Sequence, residues 1–397
     1  MASADTTPAA VGAGARPGGA SAPRVALVHD WLTGMRGGER CLEVFCELFP
    51  EAPLFTLLHV PGSVSPVIER RRVITSFIQR LPGAVSRYRQ YLPLFPAAVR
   101  GFDLSGFDLV ISLSHSVAKA VRRPADALHI CYCFSPMRYV WDLYDDYFGP
   151  RAPRLTRWTM PPVAAALRAW DRRTGGVDVF LAISHHIAER IRRVYGRGAD
   201  VIHPPVDVAR FRLAARVEDF YLVVSALVPY KRVDLAVAAA GRLGRRLVVV
   251  GTGPEERRLR ASAGAAVQFL GWRSDAEVAD LYARCRAVLF PAVEDFGIVP
   301  LEAAAAGRPT IALGRGGALE TMVDVHASDA PPTAVFFTEQ TEAALADAIL
   351  TFERAAHRFE PAALRARAEE FDLPVFRRRI ADYVDLRWGE FLARRAC

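Results

Sequence analysis

The chain of 397 residues is 51% hydrophobic and 24% charged, which matches ordinary globular proteins and excludes wholesale disorder and collagen-like or fibrous structure. Its length allows two or three domains and excludes a single small scaffold. The 51 Lys and Arg residues against 43 Asp and Glu residues give a formal net charge of +8, and such a surface suits phosphate groups on either a ligand or a membrane.

The first segment of the chain, residues 1–23, is rich in Ala, Gly, Pro, Ser and Thr and lacks the apolar stretch of a signal peptide. We interpret it as a disordered tail. No later stretch holds the roughly 20 consecutive apolar residues of a membrane-spanning helix. The six cysteines form no CxxC pair and no zinc-like spacing, so a reduced, cytoplasmic protein is the simplest interpretation.

Short runs rich in Val, Ile and Leu follow the tail and alternate with longer helical patterns. Such runs are typical of strands that are buried on both faces of a parallel sheet. The pattern predicts an N-terminal domain over residues 24–205. Its predicted strands lie at residues 24–29, 108–113, 127–133, 177–183 and 201–203.

The same pattern starts again after Pro204 and Pro205 and predicts a C-terminal domain over residues 206–372. Its predicted strands lie at residues 220–227, 246–250, 267–270, 287–290 and 309–313, with helices at 233–242, 274–284 and 341–355. Two such series predict an α/β protein with two doubly wound, Rossmann-like domains. Open α/β sheets bind ligands beyond the carboxyl ends of their strands, so we expect the chemistry in a cleft between the two sheets.

A charged, amphipathic pattern over residues 371–396 predicts a C-terminal helix. We expect Pro374 to interrupt it, because proline has no backbone N–H to donate inside a helix. This last segment, residues 373–397, is expected to cross back to the N-terminal domain.

The loop after the first strand contains His29 and Asp30, followed by Gly34, Gly37 and Gly38. It does not match GxGxxG, so a dinucleotide-dependent hydride transfer loses its main support. Glycines at a strand-to-helix turn still let a ligand approach the N–H groups of a helix N-terminus. An ordinary tight turn is the alternative interpretation.

Two loops of the C-terminal domain carry cations and glycines. Lys231 and Arg232 follow the strand at 220–227, where a diphosphate would fit. Lys231 is one of only two lysines in the chain, with Lys119. Gly253 belongs to a sharp turn after the next strand, a feature common in α/β proteins.

The most informative stretch is the run EDFGIVPLE at residues 294–302, between a predicted strand and a helix that begins near Gly297. Glu294 in the loop and Glu302 on the helix can accept hydrogen bonds from ligand hydroxyls. The helix N-terminus between them favours phosphate, so the pattern predicts a nucleotide-sugar site. Phe296 is expected to expose its ring at the turn. The alternative is an ordinary helix start with acidic residues near the dipole.

This run resembles the Glu-x7-Glu motif of the retaining glycosyltransferases of family 4, which have the GT-B fold. The resemblance extends from about residue 24 to at least residue 322 and includes the segments 34–39, 114–119, 132–141, 229–234 and 316–320. The combination is most similar to the bacterial mannosyltransferases that use GDP-mannose in building O-antigen, exopolysaccharide or lipid-linked glycans. The resemblance therefore implies transfer of mannose with retention of anomeric configuration.

The resemblance also implies roles for individual residues. Lys231 would hold the donor diphosphate, Glu302 the ribose and Glu294 the transferred hexose. His115 would sit near the anomeric centre, so His115, Glu294 and Lys231 are assigned to catalysis. The other residues assigned to donor binding are Gly37, Gly38, Arg232, Gly253, Phe296, Gly297 and Ile298, and those assigned to acceptor binding are Arg138 and Tyr139.

Two positions depart from the family pattern. Ala226 stands where most of the family has an arginine, and we hypothesise that Arg232 supplies the missing charge. Phe134 stands where related sequences often have a histidine.

Histidines and acidic residues outside the motif have structural interpretations. A lone histidine at the end of a buried strand, such as His115, is usually a satisfied structural residue. Ser184 is expected to cap a helix whose first turn holds His185 and His186. The resemblance implies no cofactor and no metal, and the acidic residues 142, 145 and 146 are interpreted as a solvated turn rather than a metal site.

The expected partners are GDP-mannose and a glycan or polyprenyl-diphosphate-linked acceptor. A UDP-sugar-dependent enzyme and a non-catalytic relative that binds a sugar nucleotide are the alternatives, because no identified residue reads the base. Nucleic acid is not an expected partner, since the sequence has no recognition helix, RNP motif or small basic module.

Two segments of the N-terminal domain mix arginines with apolar side chains, and they bear on the acceptor. They are residues 70–92 and the segment that contains Arg151, Arg154, Arg157, Trp158 and Arg168. Such surfaces can rest on anionic lipid, and a lipid-linked acceptor would bring the protein to the inner face of the cytoplasmic membrane. Solvated helix faces with their apolar residues turned to the core are an equally weighted alternative.

Overall fold

The computed structural model describes residues 22–149, 153–174 and 176–396. The predicted tail at residues 1–23 lies outside this part of the chain except for its last two residues, and Cys397 also lies outside it. The described residues form two parallel β-sheets with helices packed on both faces, as expected for two doubly wound domains.

The N-terminal sheet pairs seven strands in the order β3-β2-β1-β4-β5-β6-β7 within the described ranges. These strands are β1 (Val25–His29), β2 (Leu54–Thr56), β3 (Val73–Thr75), β4 (Leu109–Ser114), β5 (Leu128–Cys133), β6 (Val179–Ala182) and β7 (Asp200–Val201). The C-terminal sheet pairs six strands in the order β10-β9-β8-β11-β12-β13. They are β8 (Tyr221–Val224), β9 (Leu247–Val250), β10 (Val267–Gly271), β11 (Ala287–Phe290), β12 (Thr310–Leu313) and β13 (Ala334–Phe337).

Helices connect the strands and cover both sheets. In the N-terminal part they are α1 (Gly37–Leu48), α2 (Pro66–Glu69), α3 (Ala84–Arg87), α4 (Phe95–Arg100), α5 (Arg138–Trp141), α6 (Tyr144–Phe148), α7 (Arg154–Arg172) and α8 (His185–Tyr195). In the C-terminal part they are α9 (Val233–Leu243), α10 (Glu256–Ser262), α11 (Asp275–Arg284), α12 (Ile298–Ala305), α13 (Ala318–Thr321), α14 (Glu342–Ala355), α15 (Pro361–Glu369) and α16 (Leu373–Ala396). None of the helices in the described chain is both long and apolar enough to cross a membrane.

The central strands form where the sequence is continuously apolar. All four residues of β9 are buried Leu or Val, because helices cover both faces of the sheet. Three short strands, β2, β3 and β13, escaped prediction. Strands of three or four residues are too short to display a periodicity.

The structure corrects the expectation for Pro374. The helix α16 begins at Leu373, so Pro374 lies in its first turn and does not interrupt it. A proline is tolerated there, because the N–H groups of the first turn have no partner within the helix. The helix packs on the N-terminal domain, with the ring of Phe376 5.8 Å from that of Tyr132 and the hydroxyl of Tyr383 donating to Asp200 at 2.7 Å. The exact domain boundaries stay predictions.

The strand orders identify where each sheet can bind a ligand. The order reverses between β1 and β4 in the first sheet and between β8 and β11 in the second. In open α/β sheets, ligands bind at such reversal points, beyond the carboxyl ends of the strands. The loops after β1, β4, β8 and β11 are therefore the candidate site.

Candidate active site

The loops at the two reversal points lie close enough to touch each other. Asp295, which follows β11, contacts Arg138 and Arg190 of the N-terminal domain at 3.2 and 2.8 Å. The hydroxyl of Ser184, which follows β6, donates to the carbonyl oxygen of Asp295 at 2.6 Å. The carboxyl ends of both sheets therefore border one cleft, as the sequence analysis predicts.

The structure brings two of the predicted catalytic residues into direct contact. The ammonium group of Lys231, in the loop after β8, forms an ion pair with Oε1 of Glu294, in the loop after β11. Both side chains are mostly buried, so solvent screens their charges only partly. The residues assigned to the diphosphate and to the hexose thus lie side by side.

The neighbouring Arg232 forms its ion pair with a residue of α9. Its backbone has φ of 50°, in the left-handed region, where it precedes α9. Its guanidinium forms two hydrogen bonds to the carboxylate of Asp234, at 3.1 and 3.3 Å. Asp234 is therefore an ion-pair partner of Arg232, and the hypothesis that Arg232 replaces a cation at Ala226 stays a prediction.

Gly253 has a packing role in addition to the predicted donor contact. A Cβ at this position would lie 2.3 Å from the carbonyl oxygen of Leu227. The turn after β9 therefore packs directly on the backbone of the turn after β8, and only glycine leaves room for this contact.

The loop between β11 and α12 corrects the expectation for Phe296. Its ring is buried rather than exposed, and it packs 5.6 Å from the ring of His203 and 6.2 Å from that of Phe371. Only the backbone of Phe296 can therefore line the predicted donor site. The packing partners are far away in the sequence, so the local pattern did not reveal them.

The helix α12 begins as the sequence predicts. Gly297 precedes it with φ of 82°, a left-handed conformation that favours glycine, and Ile298 is its first residue. Glu302 lies one turn further and accepts a hydrogen bond from the hydroxyl of Tyr282 at 2.9 Å. Burial raises the pKa of Glu302, although the bond from Tyr282 and the charges of Arg210 and Arg40 act in the opposite direction.

In the N-terminal domain, Gly37 and Gly38 are the first residues of α1. A Cβ at Gly38 would make only ordinary contacts, with the rings of Phe134 and His29, and a Cβ at Gly37 would meet nothing within 4 Å. Neither glycine is required by packing. Their missing side chains leave the N-terminus of α1 accessible, which agrees with the predicted approach of a ligand.

His115 follows β4 directly and lies beside Asp30, which follows β1. Its Nδ1 is 3.2 Å from Oδ2 of Asp30. Burial lowers the pKa of His115, and the charge of Asp30 acts against this effect. The imidazole is partly exposed, and the ring of Trp31 lies 4.4 Å from it in an edge-to-face arrangement. The Trp31 ring and the Asp30 carboxylate therefore both contact the imidazole of His115.

The two residues assigned to the acceptor lie on either side of the same region. The guanidinium of Arg138 contacts Asp295 and lies 5.9 Å from the centre of the Tyr230 ring, next to Lys231. The hydroxyl of Tyr139 donates to the hydroxyl of Ser116, next to His115. Arg138 thus faces the donor loops. Its role in acceptor binding stays a prediction.

Several residues of this region escaped the sequence analysis. Asp295 and Asp30 each bind groups far away in the sequence, and Glu320 accepts from the backbone N–H groups of His185 and His186 at 2.7 and 2.8 Å. Ser184 caps the same helix by accepting from Ile187, which confirms the predicted cap. The available signal was that Asp30 directly follows β1 and that Asp295 lies in the loop after β11, both at the reversal points.

Within the acidic turn at residues 142–146, Asp142 makes specific contacts with another element. Asp142 forms ion pairs with Arg190 at 3.1 Å and Arg193 at 2.8 Å. These pairs connect the turn to α8, so Asp142 has a structural role.

Comparison with known proteins shows a similarity in the C-terminal domain. Residues 208–370 match the family model described as glycosyl transferases group 1. A GDP-mannose-dependent alpha-(1-6)-phosphatidylinositol monomannoside mannosyltransferase of Mycobacterium tuberculosis is 36% identical over 198 residues, which cover 42% of this chain and 51% of that protein. The O-antigen chain mannosyltransferase C of Escherichia coli is 34% identical over 142 residues, which cover 34% of this chain and 38% of that protein. The chain thus spans about half the length, or less, of these curated relatives.

Solved structures extend the similarity to nearly the whole chain at the level of fold. Sucrose-phosphate synthase from Thermosynechococcus elongatus superposes with a TM-score of 0.68 at 17% identity and covers 92% of this chain and 100% of its own. Anabaena HepE in complex with UDP-glucose superposes with a TM-score of 0.65 at 18% identity, over 91% of this chain and 99% of its own. Residues 208–370 are therefore similar to the glycosyl transferases group 1 family, and the described chain as a whole has the GT-B fold.

Proposed function

We propose that this protein is a retaining glycosyltransferase that moves mannose from GDP-mannose to a glycan or a polyprenyl-diphosphate-linked oligosaccharide in surface polysaccharide synthesis. The observation that carries the proposal is the ion pair of Lys231, in the loop after β8, with Glu294, in the loop that leads into α12. The names of the mannosyltransferase relatives support mannose as the transferred sugar.

The charges suggest how the reaction is accelerated. When the sugar–phosphate bond breaks, negative charge develops on the departing diphosphate. Lys231 and the N–H groups at the start of α12 would stabilise this charge more in the transition state than in the ground state. The loss of one such contact typically costs about 3 kcal/mol, or roughly a hundredfold in rate. Attack by the acceptor from the face that the diphosphate leaves would retain the configuration, and the departing diphosphate would then accept the proton of the acceptor hydroxyl.

A thermal-shift panel tests the donor. We expect GDP and GDP-mannose to raise the melting temperature more than UDP, UDP-glucose or UDP-GlcNAc at equal concentration. The reason is that a ligand stabilises the folded state more strongly when it binds that state more tightly. A larger shift with the uridine nucleotides would favour the UDP-sugar alternative.

Turnover separates an enzyme from a non-catalytic relative. Release of GDP from GDP-mannose, with and without a crude lipid-linked acceptor fraction, should be lost in Lys231→Ala. Arg286→Ala is a matched control, because Arg286 contacts Asp219 and Glu353 on the C-terminal domain and does not approach Lys231 or Glu294. Nucleotide binding without release by the unmodified protein would identify a sugar-nucleotide binder.

We also propose peripheral contact with anionic lipid through the N-terminal domain. Residues 66–107 contain seven arginines and only two acidic residues. Phe77, Val85 and Leu94 in this segment are exposed, and α7 exposes 83% of Trp158 next to Arg154 and Arg157. Exposed apolar side chains among arginines suit an anionic membrane surface.

Vesicle sedimentation tests this contact. The protein should bind phosphatidylglycerol vesicles more tightly than phosphatidylcholine vesicles, and Trp158→Ser should weaken the binding. Trp272→Ser is the matched control, because Trp272 is 73% exposed but lies on the C-terminal domain. Equal binding to both vesicle types, or equal effects of the two substitutions, would contradict the contact.

A further inference from the structure

Asp30 lies at the carboxyl ends of β1 and β4, which are neighbouring strands of the N-terminal sheet. It follows β1, and its fully buried carboxylate accepts hydrogen bonds from consecutive backbone N–H groups of the turn after β4. Oδ2 accepts from His115 at 2.7 Å and Ser116 at 2.9 Å, and Oδ1 accepts from Val117 at 2.6 Å and Ala118 at 2.8 Å. Four donors around one carboxylate define the conformation of the turn.

The same carboxylate also reaches the side chain of His115. Its Oδ2 lies 3.2 Å from Nδ1 of the imidazole. The ring is further confined by Trp31 at 4.4 Å, His29 at 5.9 Å and Phe134 at 6.5 Å. Among the described residues, Nε2 of His115 has no hydrogen-bond partner. One nitrogen therefore faces a fixed negative charge, and the other is available to a ligand in the cleft.

We infer that Asp30 is a positioning residue, whose carboxylate keeps the proton of the His115 imidazole on Nδ1 so that Nε2 accepts a hydrogen bond from a hydroxyl of the bound sugar. A carboxylate beside one ring nitrogen of a histidine favours the tautomer that carries its proton on that nitrogen. No proton needs to be transferred for this role. The inference rests on the proposed function only for the identity of the ligand, since the tautomer is a property of the free protein.

The charged groups around His115 indicate the pH at which this arrangement operates. Asp30, His29, Glu39 and Arg138 are the titratable and charged groups that act on it. Burial has the largest effect and lowers the pKa of His115, so the imidazole is neutral near pH 7. When the imidazole is protonated at lower pH, Nε2 becomes a donor and no longer accepts. Activity should therefore fall as the pH decreases through the pKa of His115.

A merely structural role for Asp30 is the competing explanation, because its four backbone donors would hold the turn even without His115. The two roles differ in their effect on the imidazole. Nitrogen-15 NMR of the unmodified protein should show His115 with the proton on Nδ1. In Asp30→Asn the tautomer should become mixed, and the titration of His115 should move to lower pH because the stabilising charge is gone.

Kinetics provide a second measurement. Asp30→Asn should lower kcat/KM about tenfold, which is the usual effect of one lost hydrogen bond. In a His115→Ala background the same substitution should have little further effect, because its action passes through His115. Asp178→Asn is the matched control: Asp178 is another carboxylate of this domain, it accepts from the backbone N–H of His129 at 2.8 Å, and it does not contact His115, so the His115 tautomer should be unchanged in this variant.

Three results would overturn the inference: a proton on Nε2 in the unmodified protein, an unchanged tautomer in Asp30→Asn, or a full kinetic effect of Asp30→Asn without His115. The NMR measurement on the unmodified protein decides the question even if Asp30→Asn fails to fold. If no nucleotide sugar is turned over, the proposed function fails, whereas the tautomer can still be measured.

Discussion

Arg190 on α8 forms an ion pair with Asp295, with 2.8 Å between Nη1 and Oδ1, and this pair joins the two domains. Both side chains are only 11% exposed, so their attraction is screened less than that of a surface pair. Asp295 lies between Glu294 and Phe296 and also contacts Arg138. The N-terminal domain therefore holds the loop that carries the predicted hexose-binding residue.

Replacement of Asp295 should affect stability and catalysis together. We expect Asp295→Ala to lower the free energy of unfolding by about 2 kcal/mol, because it removes one carboxylate from two partly buried guanidinium groups, of which Arg190 keeps Asp142 as a partner. We also expect kcat to fall about tenfold, since Glu294 is no longer held. Chemical denaturation and donor turnover measure the two effects. Asp219→Ala is the control, because Asp219 pairs with Arg286 but is 79% exposed; equal effects of the two substitutions would contradict the role of Asp295.

The contact between Lys231 and Glu294 predicts a difference between two substitutions. Lys231→Ala should lower kcat at least a hundredfold, because it removes the cation expected at the departing diphosphate. Lys231→Arg keeps the charge and should retain part of the activity. Steady-state kinetics with GDP-mannose provide the measurement. Similar activity in Lys231→Ala and in the unmodified protein would mean that this lysine only neutralises Glu294.

Glu302 predicts opposite effects on stability and on donor binding. Because burial raises its pKa, Glu302 contributes stability below its ordinary pKa, and this contribution is lost as the pH rises through the raised pKa of the folded state. Glu302→Gln should therefore raise the melting temperature at pH 8 and have little effect near pH 4. The KM of the Glu302→Gln variant for the donor should increase about tenfold, since the ribose hydroxyls lose the Glu302 carboxylate as an acceptor. A lower melting temperature at pH 8 would show that the charge is stabilising.

The stability that Glu320 contributes should depend on pH in the direction opposite to that of Glu302. Burial raises its pKa, but the bonds from His203 and from the backbone of His186 and His185 outweigh burial and lower the pKa overall. Its contribution is therefore present above its ordinary pKa and lost as the pH falls through the lowered pKa of the folded state. We expect Glu320→Gln to destabilise the protein by about 1 kcal/mol at pH 7. At acidic pH the difference in stability between Glu320→Gln and the unmodified protein should disappear. Chemical denaturation at several pH values tests this expectation.

The buried pair of Lys119 and Asp171 predicts a large effect on stability. The two groups are 2.8 Å apart and fully buried. Lys119→Met should lower the free energy of unfolding by about 3–5 kcal/mol, because it leaves the charge of Asp171 unpaired in the interior. Arg24→Met is the control, because Arg24 forms an exposed pair with Asp108 and its loss should cost less than about 1 kcal/mol. A loss for Lys119→Met as small as that of the control would mean that Asp171 is neutral or hydrated.

The sequence indicated the location of the candidate site because its signals are local. Apolar runs marked the strands, and the residues directly after them had to lie at the carboxyl ends of the sheets. This reasoning placed Lys231, Glu294 and Gly297 in adjacent loops. It was wrong for Phe296 and for Pro374, because burial of a ring and the start of a helix depend on neighbours that the local pattern does not contain.

The sequence alone thus determined the two α/β domains, the loops that border the cleft and the types of charge that they carry. Apolar periodicity and the placement of glycines act over a few residues, and the chain carries that information directly. Only the tertiary structure decided which groups pair across long separations, as Asp30 does with the turn at His115 and Asp295 with Arg190. Those contacts depend on the order of the strands and the orientation of the two sheets, which no short segment encodes.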